Sequence, residues 1–198
     1  MIQKSLLVFM ILLSFNSNAL VSNGDQAPKF SLRAEDGKFY GLDKFQGKTI
    51  VLEWLNHGCP FVRKHYDSGN MQSLQQKYTD QGVVWLSIVS SAKGKQGHVD
   101  ASGAFREKQQ YSSKASHVLL DSTGEVGRNY GAKTTPHMFV IDEQGKVIYQ
   151  GAIDSIASAD KDDIAKAQSY VAMALDEKLA GQEVKITETK AYGCSVKY

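Results

Sequence analysis

The chain has 198 residues, 42% of them hydrophobic and 22% charged, a balance that suits one globular domain with a sizeable core, able to fold without a disulfide. The formal net charge is +2, about +1 without the N-terminal segment that carries Lys4, and acids and bases are interspersed along the chain. This argues against a nucleic-acid surface or a polybasic membrane anchor as the working face.

Residues 1–19 have Lys4 near the start, an apolar run from Leu6 to Leu13, and small or polar residues leading to Ser17-Asn18-Ala19. That layout predicts a secretory signal cleaved after Ala19. The apolar run is far short of the roughly 20 residues of a spanning helix, and no cysteine follows to take a lipid. The mature chain, residues 20–198, is expected to be a single domain without stable membrane insertion. Its periplasmic or extracellular setting is one in which two cysteines can pair.

Past turn signals at Asp36-Gly37 and Gln46-Gly47, residues Thr49 to Leu55 form an apolar, β-branched run without strict alternation, which predicts a strand buried on both faces. A helical stretch follows from Pro60 to about Tyr78, with a weak point at Ser68-Gly69. A strand is expected over Val83 to Val89, then a long Gly/Lys loop containing Ser90 to Gly97, and a helix near His98 to Tyr111. Further on lie a strand at His117 to Leu120 and a short helix over Glu125 to Tyr130. A hairpin, His137 to Asp142 with Lys146 to Gln150, turns at Glu143-Gln144-Gly145. A helix over Asp160 to Ala180 would place Ile164, Val171, Leu175 and Leu179 on one face. The tail alternates like an edge strand and carries Cys194. Strands alternating with helices and closing on a hairpin predict an α/β fold, a central mixed β-sheet flanked by helices on both faces.

Cys59, one of only two cysteines, falls just past a buried strand and just before Pro60, a residue suited to the first turn of a helix. A sulfur at a helix N-terminus faces unpaired backbone N–H groups and the positive end of the helix dipole, which favour thiolate. Arg63, one turn on, is positioned to add to that effect. Cys59 is therefore expected to be a nucleophile, the competing reading being a small buried core residue.

Four segments in order, Gly24-Asp25-Gln26-Ala27-Pro28-Lys29-Phe30-Ser31-Leu32, Cys59-Pro60, Thr134-Thr135-Pro136 and Phe139-Val140-Ile141-Asp142 with Gly145-Lys146, resemble the thioredoxin-like superfamily. Within it, the likeness is to the redoxin group of peroxiredoxins and alkyl hydroperoxide reductase or thiol-specific antioxidant proteins. The resemblance implies a thioredoxin-like fold and thiol-dependent oxidoreductase activity. It also implies a cis peptide bond at Thr135-Pro136, brought against the active sulfur. Glu53, six residues before Cys59, matches the buried acid that many thioredoxins carry beneath the redox site, where burial would bring a carboxyl toward the operating pH as a proton shuttle. A solvent-reaching carboxylate is the alternative.

The chain also departs from these relatives. Val62 stands where a thioredoxin would have its second cysteine, and Asn56 stands where a typical peroxiredoxin has threonine, its amide a different donor from a hydroxyl. The distant Cys194 is then the candidate resolving cysteine for a Cys59 that attacks a peroxide or a disulfide, with an external thiol as reductant and no cofactor. The same pair also fits a static bridge tying down the tail. Two further classes stay open. A soft metal such as copper could be held by Cys59 with His57, His65 or His137, and a non-catalytic module could use the 90–97 loop to bind a partner.

Overall fold

The computed structural model describes residues 20–198; the expected signal at 1–19 lies outside the described residues. Seven strands form the main sheet: β1 (Leu32–Ala34), β2 (Phe39–Tyr40), β3 (Ile50–Trp54), β4 (Val84–Val89), β5 (His117–Leu120), β7 (His137–Ile141) and β8 (Val147–Gly151), in the order β2-β1-β5-β4-β3-β7-β8. β3, β4 and β5 run parallel, and β1 and β7 join on either side antiparallel, so the sheet is mixed. A second, two-stranded antiparallel sheet pairs β6 (Thr134–Thr135) with β9 (Cys194–Ser195).

Strand β3 is buried along its whole length, and its side chains alternate between two cores. Ile50, Leu52 and Trp54 pack on one face with Val126 and Tyr130 of α4 (Glu125–Tyr130) and with the N-terminal segment at Val21 and Ala27. Val51 and Leu55 face the other side. There they meet α1 (Pro60–Asp67), α2 (Asn70–Thr79), Ala104 of α3 (Ala101–Gln110), and Val171, Ala174 and Leu175 of α5 (Tyr170–Leu179). Helices therefore cover both faces, four on one side and one on the other. Glu53 sits on the four-helix side of a strand with no solvent face, which disposes of a solvent-reaching carboxylate.

Several boundaries differ from the sequence reading. The stretch after Pro60 is two helices, broken where Gly69 takes a φ of +79° and starts α2; the weak point at Ser68-Gly69 marks that break. The third helix starts at Ala101, because the Asp100 carboxylate accepts the Gly103 N–H at 2.7 Å and caps it. The single helix expected over Asp160 to Ala180 is a short 3₁₀ turn, Lys161–Lys166, followed by α5. Each piece has its own cap, Asp160 for the turn and Ser169 for α5, and Ser169 also pairs with Asp154 in an antiparallel bridge. Leu179 is 39% exposed and does not continue the buried face of Val171 and Leu175. The tail is not one edge strand either: Glu188 bridges Gln150 in parallel, and only Cys194 and Ser195 form a ladder. Among the described residues no helix is long and apolar enough to cross a membrane.

Candidate functional site

Cys59 occupies the N-cap of α1 with extended backbone (φ −88°, ψ 124°), and Pro60 opens the first turn. Strand β3 ends just before this junction, so it delivers the cysteine to the C-terminal end of the parallel strands, beside Thr135 of β6. The Thr135–Pro136 peptide bond is cis. The Cys59 thiol donates to the Thr135 carbonyl oxygen at 3.0 Å, and the backbone N–H of Cys194 donates to the Cys59 Sγ at 3.4 Å. The fold thus brings together two cysteines 135 residues apart in the chain, both as free thiols, Cys59 fully buried and Cys194 partly exposed.

Their acidities are driven apart. Burial pushes the Cys59 thiol up, but hydrogen bonds from the side chain and backbone of Cys194, from the Val62 N–H and from the Thr135 side chain outweigh it and hold the thiol below its ordinary value. Cys194 is pushed up to about 11 by burial and by the Cys59 sulfur it faces. One sulfur is favoured as the thiolate and its neighbour as the thiol.

Arg63 does not supply this effect. Its guanidinium is bound to the Asp67 carboxylate at 2.9 Å, one turn along the same helix, and the side chain is 56% exposed. The local i,i+4 partner wins over the sulfur at the other end of the turn. Asn56 is also committed elsewhere: its amide nitrogen donates to the Gln96 carbonyl at 3.3 Å, and its oxygen accepts the Gly58 N–H at 2.8 Å. The loop of residues 90–97 closes over this turn, and Gly97, with φ +81°, packs so tightly that a Cβ there would lie 2.3 Å from the Asn56 oxygen. Gln96 adds a hydrogen bond to the Gly58 carbonyl. A loop expected as a free surface is a wall of the site.

Glu53 is fully buried and accepts four hydrogen bonds. The Tyr66 hydroxyl of α1 donates at 2.9 Å, the Gln75 amide of α2 at 3.2 Å, the Trp85 indole N–H at 2.8 Å and the Ser87 hydroxyl at 2.9 Å. Burial raises its carboxyl above the ordinary range, against the pull of those four donors.

The three histidines do not gather around Cys59, and His57 and His65 are not solvated at the surface. His57 stacks on Tyr111 with ring centroids 3.8 Å apart, His65 meets the Asn70 amide at 2.8 Å, and His137 accepts the Lys133 N–H at 3.3 Å. Among the described residues no group of three or more His, Cys, Asp or Glu side chains is disposed to hold a metal ion. Burial pushes each of these histidines down to about 4. A histidine lowered in this way contributes stability that is fully present above its ordinary 6.5 and is lost as pH falls toward 4, because unfolding then takes up a proton. The denaturation midpoint is expected to drop across that window. Replacing one histidine with glutamine should flatten the slope by about 1.4 kcal/mol per pH unit, as read from urea titrations at several pH values.

The sequence reading missed the anchor of the tail. Lys64 is only 1% exposed, a rarity for lysine, and its ammonium lies 3.3 Å from the buried Asp154 carboxylate and 3.2 Å from the Ile156 carbonyl. The Tyr192 hydroxyl donates to the same carboxylate, and its ring meets Phe61 edge-on at 5.8 Å. Farther along, Val196 N–H donates to the Lys133 carbonyl, Ala92 N–H to that of Lys197, and the Tyr198 hydroxyl to that of Ala132. Tyr192, two residues before Cys194, fastens the tail beside the sulfur pair.

A family model described as Redoxin matches residues 22–168. The thiol-disulfide oxidoreductase ResA of Bacillus cereus (strain ATCC 10987 / NRS 248) is 28% identical over 137 residues, 69% of this chain and 73% of its own. The thioredoxin-like protein YneN of Bacillus subtilis (strain 168) is 26% identical over 127 residues, 64% of this chain and 69% of its own. Among solved structures, an uncharacterized conserved protein from Geobacillus kaustophilus superposes with a TM-score of 0.75 at 24% identity, over 90% of this chain and 93% of its own. A putative thiol:disulfide interchange protein DsbE from Chlorobium tepidum gives 0.51 at 27% identity, over 66% of this chain and 84% of its own.

Proposed function

The chain belongs to the redoxin family, and from that premise we propose that it is an exported thiol-disulfide oxidoreductase whose redox centre is the pair Cys59 and Cys194. The observation that carries this reading is the Cys194 N–H at 3.4 Å from the Cys59 sulfur, with both thiols free and the tail docked. Cys59, whose thiol is held below its ordinary value, is the sulfur that ionises more readily and attacks a substrate disulfide. Cys194 then displaces the substrate thiol and closes the intramolecular disulfide, which an external thiol reopens.

A disulfide suits the site better than a peroxide. The Asn56 amide is turned away from the sulfur, its nitrogen donating to the Gln96 carbonyl and its oxygen accepting the Gly58 N–H, and the ResA relatives carry thiol-disulfide names. The leader-like segment 1–19 supports export to an oxidising compartment. Residues 20–198 act as one unit in this reading, the tail completing the site. The test is a thiol count with peptide mapping on protein taken directly from its compartment, together with multiple-turnover reduction of a model disulfide. A Cys59–Cys194 bridge that forms and is consumed during turnover is the expected result. A count of two unreactive thiols in the working protein overturns the proposal.

Glu53 has the part of proton acceptor in this reading, its carboxylate tied to α1 by the Tyr66 hydroxyl. Glu53→Gln keeps the shape and removes the ionisation. Closure of the Cys59–Cys194 disulfide should slow roughly tenfold near neutral pH while the fold persists. Identical stopped-flow rates for the variant and the wild type across the pH profile would reduce Glu53 to a packing role.

A further inference from the structure

We propose that the rim of the site selects its substrate by charge, taking a polypeptide disulfide whose cysteine is flanked by acidic residues, with Lys93, Lys95, Arg128 and Lys133 as the groups that face those acids. This rests on the Cys59–Cys194 pair being the redox centre and names the class of disulfide it serves.

Over the whole chain, 23 lysines and arginines nearly balance 21 acids. Around the sulfur pair they do not. Three segments meet there, residues 90–98, residues 124–135 and the tail from Gly193 to Tyr198, and hydrogen bonds fix the meeting. The Ala92 N–H donates to the Lys197 carbonyl at 2.8 Å and the Val196 N–H to the Lys133 carbonyl at 3.1 Å, while the Arg128 guanidinium lies 4.6 Å from the centre of the Tyr198 ring. These segments carry Lys93, Lys95, Arg128, Lys133 and Lys197 against one acidic side chain, Glu125. Neighbouring acids are committed inward. Asp121 is buried and accepts the Ser90 hydroxyl and the Gly127 N–H, Asp154 is buried against Lys64, and Asp100 caps α3. Glu188 and Lys190 flank Thr189 on the tail and cancel in charge.

Lys93, Lys95, Arg128 and Lys133 are all exposed, and among the described residues none of them forms an ion pair. Their backbone positions tie them to the reacting sulfur. Lys95 precedes Gln96, whose amide donates to the Gly58 carbonyl at 3.1 Å, next to Cys59. Lys133 stands two residues before Thr135, whose carbonyl accepts the Cys59 thiol at 3.0 Å. Separations of this size are comparable with the Debye length of about 8 Å in physiological salt, so a chain bound at the sulfur feels these charges. Cys59 is fully buried beneath the tail, so a substrate reaches it when the tail lifts. The four cations belong to the 90–97 loop, α4 and the approach to β6, and they stay behind. Departure of Tyr198 also uncovers the Arg128 guanidinium. The opening that the substrate meets is bordered by cations without acidic partners, a field that favours encounter with an acidic chain and disfavours a basic one.

The test compares short peptide disulfides of one length that carry aspartate and glutamate, lysine, or serine and glutamine beside the cysteine. Each peptide bears an internally quenched fluorophore, and the mature chain, reduced and desalted beforehand, is mixed with it. The second-order rate constant for opening is divided by that of dithiothreitol on the same peptide, which removes the peptide's own reactivity. At about 10 mM ionic strength the acidic peptide is expected to exceed the lysine peptide by about tenfold or more, and the gap to shrink to about twofold in about 0.5 M salt. Lys93→Glu combined with Lys95→Glu should erase the gap and leave the serine–glutamine peptide within about twofold of its original rate. Lys44→Glu combined with Lys48→Glu makes the same change of net charge on exposed lysines before β3, at the end away from Cys59, and should keep the gap. Equal normalised rates for the acidic and lysine peptides at low salt, or a gap lost equally in both double variants, overturn the charge selection and leave the redox pair standing, because the serine–glutamine peptide is still opened. Failure to open any of the peptides overturns the pair itself, and this inference with it.

Discussion

Cys194→Ser is expected to leave the domain folded and to reduce multiple turnover of a model disulfide by about a hundredfold or more. Cys59 in the variant should still form one mixed disulfide and then stall, because no second sulfur lies within reach to release it. The competing reading, a static staple, predicts the opposite pattern: a drop of roughly 2–5 kcal/mol in stability for a lost native disulfide, with turnover unaffected. The geometry favours the first outcome, because the tail is docked while both thiols are free. Tyr192 on Asp154, Phe61 on the Tyr192 ring, β9 on β6 and the Val196, Ala92 and Tyr198 hydrogen bonds hold it without a covalent link. The two measurements are a denaturant midpoint and a turnover assay on the same preparations. A large loss of midpoint with turnover intact would return Cys194 to a structural role.

Gly193→Ala should detach the tail without touching either sulfur. Gly193 has φ +133°, and a Cβ built there would lie 2.1 Å from the Thr135 carbonyl oxygen and 2.8 Å from its carbon. Both obstacles are backbone, so no rotamer relieves the contact, and β9 must leave β6. Three consequences follow together. Closure of the Cys59–Cys194 disulfide slows by about tenfold or more, as expected for a reactive group displaced by an ångström or more. Cys59 becomes open to large maleimides. Its alkylation midpoint moves up, because the Cys194 hydrogen bonds that favour the thiolate are lost. Gly181→Ala is the matched control: Gly181 also has a positive φ, +69°, but an added Cβ meets nothing within 4 Å. It carries the backbone strain and none of the collision. Equal closure rates in the two variants would show that β9 docking does not govern the chemistry.

The sequence alone was enough to locate the strand-to-helix junction at Cys59 and the general fold, because those features are written in residues a few positions apart. The apolar run Thr49 to Leu55 ending before Cys59-Pro60 specifies a buried strand feeding a helix start. The small pair Ser68-Gly69 marks where that helix breaks, and the order of the four redoxin-like segments carries the α/β architecture and the cis bond at Thr135–Pro136. The capping signals of Asp100, Asp160 and Ser169 were legible too, and weighing them would have split the long helix expected over Asp160 to Ala180.

Tertiary structure decided everything that depended on which distant group a side chain meets. Arg63 could be placed one turn from the sulfur, but its direction was set by Asp67. Asn56 was claimed by Gln96, 40 residues on, and His57 was buried by Tyr111. Glu53 was buried because donors from α1, α2 and β4 close around it. The meeting of Cys59 with Cys194 was the least accessible to sequence reasoning, since it depends on a tail held by Lys64, Asp154 and Tyr192. Local signals act through backbone conformation over a few residues. The choice of partner, and with it burial and acidity, is made by packing between segments whose separation along the chain carries no pattern.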